Sequence, residues 1–153
     1  MKVYSIYIYT TESLFFDGSL FPNLYNLYVV AKKSNIKNVN NLISLVLEEK
    51  EKCELDFLFN CHELEDLFVF STEDIELPDM SNLENLSTVS ILSSNQKSFK
   101  GIETIPCDFN FVFREKNVYL ETLKMNDVDY SAFLQSNCIA FLIDNECYQK
   151  YKK

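Results

Sequence analysis

The chain has 153 residues, 47% of them hydrophobic and 14% aromatic, with 14 Lys and Arg against 23 Asp and Glu for a net charge of −9. That length suits one domain, and the aromatic content excludes a wholly disordered chain. The only glycines are Gly18 and Gly101, so neither a phosphate-cradling loop nor a dinucleotide fingerprint can be written. The acidic balance argues against nucleic acid and anionic membranes as partners, and no apolar run approaches the roughly 20 residues that span a bilayer.

The residues 3–10, Val-Tyr-Ser-Ile-Tyr-Ile-Tyr-Thr, are β-branched or aromatic on both sides and predict a buried strand. Asp17-Gly18 and Phe21-Pro22 mark breaks, and Leu24–Ala31 fits either a strand or a short helix. Ile36, Val39, Ile43, Val46 and Leu47 recur at helical spacing, so an amphipathic helix is expected over about 36–52. Leu55, Phe57 and Phe59 alternate with Glu54, Asp56, Leu58 and Asn60 as in a half-buried strand. Leu67–Phe70 and Thr88–Leu92 read as further strands, and Ser71–Leu86, acidic and holding Pro78, as a long loop.

Phe109, Phe111 and Phe113 face one way and Asp108, Asn110, Val112 and Arg114 the other, and Glu115-Lys116-Asn117 links them to Val118–Leu123 as an antiparallel hairpin. Short helices are expected through Tyr130–Leu134 and from Asn145 onward, with Ile139–Ile143 a last strand. The expected architecture is a single α+β domain over 1–153. It would have a mainly antiparallel sheet of about six to seven strands, with 71–86 an acidic loop within it. No internal repeat is evident.

Chemistry-bearing residues are sparse. The five cysteines form no CxxC motif, and the chain starts with no secretory leader, which predicts a reducing, cytoplasmic setting. His62 follows Cys61, and a thiolate–imidazole pair could make a small enzyme or ligand site. Neighbours on a strand point to opposite faces, so a surface histidine is the expected reading. Nothing supplies a metal-ligand spacing, and no cofactor or catalytic residue is assigned.

The charge distribution is the distinctive signal. Between Cys53 and Gln96 stand ten acids and no Lys or Arg, while the remainder holds 14 bases and 13 acids, a net of +1. Surfaces ordinarily mix both signs, because a one-sign patch repels itself. Glu54, Asp56, Glu63, Glu65, Asp66, Glu73, Asp74, Glu76 and Asp79 are therefore the expected partner-binding residues, with Phe57, Phe59, Phe68 and Phe70 between them. Acids of this kind steer association, and aromatics supply affinity. The expectation is a non-enzymatic inhibitor or immunity-type protein covering a basic site on a partner such as a nuclease toxin. A homodimeric structural protein is the further alternative.

Overall fold

The computed structural model describes residues 2–93, 101–113, 138–143 and 146–149, with side chains described for 2–93 and 101–109. The chain winds as a β-solenoid of mostly parallel strands. In chain order the strands are β1 (Ser5–Tyr9), β2 (Ser13–Asp17), β3 (Asn26–Ala31), β4 (Lys33–Lys37), β5 (Ser44–Glu49) and β6 (Cys53–Glu54). There follow β7 (Asp66–Ser71), β8 (Ile75–Glu76), β9 (Thr88–Ser93), β10 (Phe109–Phe113), β11 (Cys138–Ile143) and β12 (Glu146–Gln149). An eight-stranded sheet runs in the order β1-β3-β5-β7-β9-β10-β11-β12, beside the two-stranded sheets β2-β4 and β6-β8. All pairings are parallel except that of β11 with β12.

A recurring pattern of apolar residues generates the coils. Phe21, Leu24, Leu27 and Val29 are matched by Val39, Leu42, Leu45 and Leu47. The next two sets are Cys61, Leu64, Leu67 and Val69, then Leu83, Leu86, Val89 and Ile91. In every set the spacing is three, three and two. The first interval closes a tight turn, in which the amides of Leu24, Leu42, Leu64 and Leu86 donate to the carbonyls of Phe21, Val39, Cys61 and Leu83 at 3.0–3.2 Å. The interval of two belongs to a strand, whose alternate residues face the interior. Register stacks the sets directly: Ile6, Leu27, Leu45, Leu67 and Val89 form one interior row, and Ile8, Val29, Leu47, Val69 and Ile91 the next. From Leu27 and Val29 onward these rows are 3% exposed or less.

The expected α+β antiparallel fold is therefore incorrect. No α-helix occurs among the described residues; what helical character exists is 3₁₀, at Gly18–Leu20, Asp56–Asn60 and Ile102–Thr104. The helix expected over 36–52 is instead the end of β4, a corner and β5. Val39, Leu42 and Leu45 lie three apart because of the corner, and spacing by three mimics a helix face. Val46, assigned to the helix stripe, is half-buried on the outward side of β5, while Leu47 is fully buried. Leu55–Phe59 is not a strand either: after β6 it forms the 3₁₀ segment, with Leu55 and Leu58 buried and Phe59 46% exposed. β10 pairs in parallel with β9 and β11, which removes it from the expected hairpin. The proposed return strand 118–123 and the helix through 130–134 lie outside the described residues. The helix expected after Asn145 is β12, a strand. An internal repeat does exist, hidden because Leu, Val, Ile, Phe and Cys interchange within it.

Five expected strands stand as strands: 3–10 contains β1, 67–70 lies within β7, 88–92 within β9, 109–113 is β10 and 139–143 lies within β11. β1 is not the buried strand expected, however, since Tyr7 and Tyr9 face outward. The 71–86 stretch contains β8 and a back segment that buries Ile75, Leu77, Met80, Leu83 and Leu86. One further clamp joins the first two coils. Asn38, at φ 56°, donates from Nδ2 to Asp17 Oδ1 at 2.9 Å, and its carbonyl packs so closely on Gly18 that a Cβ there would collide. Hydrogen bonds from Asn38 and Ser19 hold the Asp17 carboxyl well below the usual range.

Adjacent residues of β5 offer a direct check of the winding. Leu47→Ala is expected to cost about 2–5 kcal/mol of unfolding free energy and Val46→Ala about 1 kcal/mol or less. Urea denaturation measures both, and equal losses would return both residues to one buried helix stripe.

Candidate protein-recognition face

The same alternation that fills the core projects every second residue of the long sheet outward. In register, these outward positions make three rows across β1, β3, β5, β7 and β9. The first is Ser5, Asn26, Ser44, Asp66 and Thr88; the second is Tyr7, Tyr28, Val46, Phe68 and Ser90; the third is Tyr9, Val30, Glu48, Phe70 and Leu92. All are exposed or half-buried. Tyr7 and Tyr9 are 77% and 81% exposed. Like neighbours stack along the rows: the Tyr7 and Tyr28 rings lie 6.0 Å apart, and Asn26 donates to Ser5 Oγ at 3.0 Å. Tyr4 and Tyr25 continue the stack at the sheet's lower rim, 5.8 Å apart.

This face is apolar and aromatic at its centre, and its charges have one sign. Glu48 and Asp66 lie on it, with no Lys or Arg at any outward position of β1, β3, β5, β7 or β9. Glu63 and Glu65 precede β7 at one rim, and Glu73 and Asp74 follow it at the other. The latter rim also carries Lys50, and Lys32 paired with Glu51 at 3.2 Å.

The nine acids expected to form one surface are distributed around the coil. Asp66 opens β7 on the outward face, beside Glu63 and Glu65 in the entering turn. Glu73 and Asp74 lie in the turn that leaves β7. Glu54 and Glu76 are register partners in the second, two-stranded sheet, where Lys52 bridges Glu76 at 2.6 Å. Lys52 adjoins the uncompensated stretch in sequence, and Glu76, Asp74 and Glu54 together raise its pKa. Asp56 begins the 3₁₀ segment. Asp79 accepts hydrogen bonds from the Ser81 amide at 3.0 Å and hydroxyl at 2.6 Å, which hold its carboxyl low. The structure thus gathers Glu63, Glu65 and Asp66, and separately Glu54 with Glu76. Tyr7, Tyr28, Val30, Glu48 and Leu92 were missed, because their shared face exists only once the coils are in register.

The Cys61–His62 pair is split. Cys61 is fully buried, its thiol 3.5 Å from the carbonyls of Val39 and Phe57, and burial pushes it up to about 12. His62 is exposed. An activated thiolate needs the opposite environment. Among the described residues no group of three or more His, Cys, Asp or Glu could hold a metal ion, and no helix is long and apolar enough to cross a membrane. An open cavity of about 390 Å³ beside Gly18, Pro22 and Asn38–Asn41 is lined by no titratable side chain.

One carboxyl group lies inside the coil among the described residues. Glu49 is 2% exposed and stands in the interior row that continues through Ser71 and Ser93. Each serine hydroxyl ties its coil to the one before: Ser71 donates to the Glu51 carbonyl at 3.0 Å and Ser93 to that of Glu73 at 3.1 Å. Glu49 fills the same role with an acceptor. Its Oε1 takes the Ser34 amide at 2.8 Å and the Ser34 hydroxyl; Oε2 meets no nitrogen or oxygen partner among the described residues, and the Cys53 thiol lies against the carboxyl. Burial raises the Glu49 pKa above 4.5, against the Ser34 hydrogen bonds and Lys33. Nothing in the run Glu48-Glu49-Lys50-Glu51-Lys52 distinguishes it from a solvated charge run.

No protein-family model matches the chain, and no curated protein or solved structure is found similar to it.

Because the folded chain holds the Glu49 proton more tightly than the unfolded one, stability falls as pH rises from about 4.5 through the raised value. Below 4.5 both states are protonated and this loss is absent. Thermal melts of Glu49→Gln against the parent should diverge in the variant's favour across that window and run parallel above it. A constant offset at every pH would mean that Glu49 titrates alike in both states.

Proposed function

We propose that this chain is a non-enzymatic protein-binding solenoid that takes a basic partner across the outward face of its long sheet. The observation that carries the reading is the pair of rows Tyr7, Tyr28, Val46, Phe68 and Tyr9, Val30, Glu48, Phe70, aromatic and apolar on a rigid sheet and bearing acids alone. Large aromatics held in place cost little entropy to bury, and they dominate binding energy where they cluster. Glu48 and Asp66, with Glu63 and Glu65 at the rim, supply the sign that attracts a basic surface.

Solenoids of stacked repeats present extended surfaces of this type for binding. The spacing Leu42-x-x-Leu45-x-Leu47 also follows the opening half of the leucine-rich repeat pattern, though Lys32, Lys50 and Thr72 stand where that pattern has Asn or Cys. An inhibitor of a basic enzyme, such as a nuclease toxin, is a narrower form of the same proposal and rests on charge and size. The carboxylates Glu54, Asp56, Glu76 and Asp79 then serve solubility rather than contact, since they lie on other sides of the coil.

Affinity capture from the native host extract, run with the parent chain and two variants, tests this. Glu48→Lys/Phe68→Ser alters the outward face, and Glu54→Lys/Glu76→Lys alters the second sheet. A basic protein held by the parent and by the second variant should bind the first roughly ten-fold more weakly or less. Its complex with the parent should also weaken as salt rises. Capture of nothing, or equal capture by both variants, overturns the proposal.

A further inference from the structure

Among the described residues no coil packs against the outer side of the β1 coil. β1 has one described neighbour in the sheet, β3, and no described strand pairs with its other edge. Ile6 and Ile8 are half-buried, whereas their counterparts Leu27, Val29, Leu45, Leu47, Leu67 and Val69 are 2% exposed or less. Phe15 and Leu20 in the same coil are 62% and 75% exposed, Phe15 under the Lys37 ammonium at 4.9 Å.

Stacked-repeat proteins need a polar outer face on their terminal coils, and open edge strands are ordinarily blunted by charge, proline or a bulge. The β1 sequence, Ser-Ile-Tyr-Ile-Tyr, contains none of these, and its register with β3 is unbroken. Among the described residues the sheet's other outermost strand is built differently: β12 runs antiparallel to β11.

We infer that β1 is a dimerisation strand, pairing antiparallel with β1 of a second copy about a two-fold axis at Tyr7. The strand is complementary to itself in that arrangement. An axis at Tyr7 sets Ile6 of one copy opposite Ile8 of the other, and Ser5 opposite Tyr9, so core residues meet core residues and the tyrosines stay outward. The only charged residues from Lys2 to Glu12 are those two, and they flank β1 at opposite ends, so an antiparallel partner brings unlike charges towards each end of the pair. Closure by a two-fold leaves no further β1 edge, so the assembly stops at two. It covers Ile6 and Ile8 and joins the two outward faces into one continuous sheet surface. The dimer stands independently of any basic partner.

Sedimentation velocity across a range of concentrations should show a dimer of the parent chain. Tyr7→Lys/Tyr9→Lys alters exposed side chains only, so its thermal melt should match the parent at concentrations where both are monomeric, while its dimerisation requires a concentration at least roughly ten-fold higher. Register is read by crosslinking with an added oxidant. Tyr7→Cys, on the axis, should give a covalent dimer, and Tyr9→Cys, away from it, should not; the parent, whose Cys53 and Cys61 are buried, sets the background. A parent that stays monomeric throughout overturns the inference. So does a dimer untouched by the lysines, or crosslinking by Tyr9→Cys in preference to Tyr7→Cys.

Discussion

Each coil of this protein can bury its apolar side only against the next, and the whole structure follows from that. A strand such as β5 offers Leu45 and Leu47 to the interior and has no partner for its backbone within its own coil. Both needs are met by β3 on one side and β7 on the other, whose residues stand in register with it. The register cannot slip by one residue, because that would turn the leucine rows out and the tyrosine and phenylalanine rows in. The corners enforce the same alignment, since Tyr25, Ile43 and Glu65 each present a carbonyl to the first amides of the next strand of the long sheet. Ser71, Ser93 and Glu49 add side-chain ties at the other end of the strands.

How much of this the sequence discloses depends on what a local pattern can distinguish. β7 and β9 are legible because Leu67–Phe70 and Thr88–Leu92 are short, β-branched or aromatic, and flanked by polar turns. β5 is not, because the corner preceding it spaces Val39, Leu42 and Leu45 by three, and a window of that length cannot separate a turn followed by a strand from a helix. The alternation through Phe57 and Phe59 misleads in the opposite direction, since a 3₁₀ segment buries Leu55 and Leu58 at an interval of three. For β10 the strand is legible and its partners are not: pairing direction is decided by where the chain returns, a non-local fact. The repeat would have resolved all three, but it is written in a mixture of Leu, Val, Ile, Phe and Cys that conceals its period.

The candidate site shows the same division. Charge is additive along a sequence, so the excess of acids between Cys53 and Gln96 is visible without a structure. Facing is not additive. Winding a stretch longer than one coil sends Asp66 outward on the long sheet and Glu54 and Glu76 to the second sheet, with Asp56 and Asp79 on the back. It also brings Lys52 onto Glu76 from just outside the acidic stretch. What remains common to the outward face is a sign and a set of aromatic rings, contributed by four coils whose residues are far apart in sequence.

The modest length of each coil bears on how the chain reaches this state. Ser5, Asn26, Ser44, Asp66 and Thr88 stand in register, so successive strands are separated by 21, 18, 22 and 22 residues. Parallel sheets are usually slow to form because distant segments must meet before any pairing repays the lost loop entropy. Here no loop longer than one coil has to close for these strands to pair, and one closed pair is a template for either neighbour. Folding can therefore start at any adjacent pair of coils and spread by accretion, which makes the order of synthesis a sufficient order of assembly.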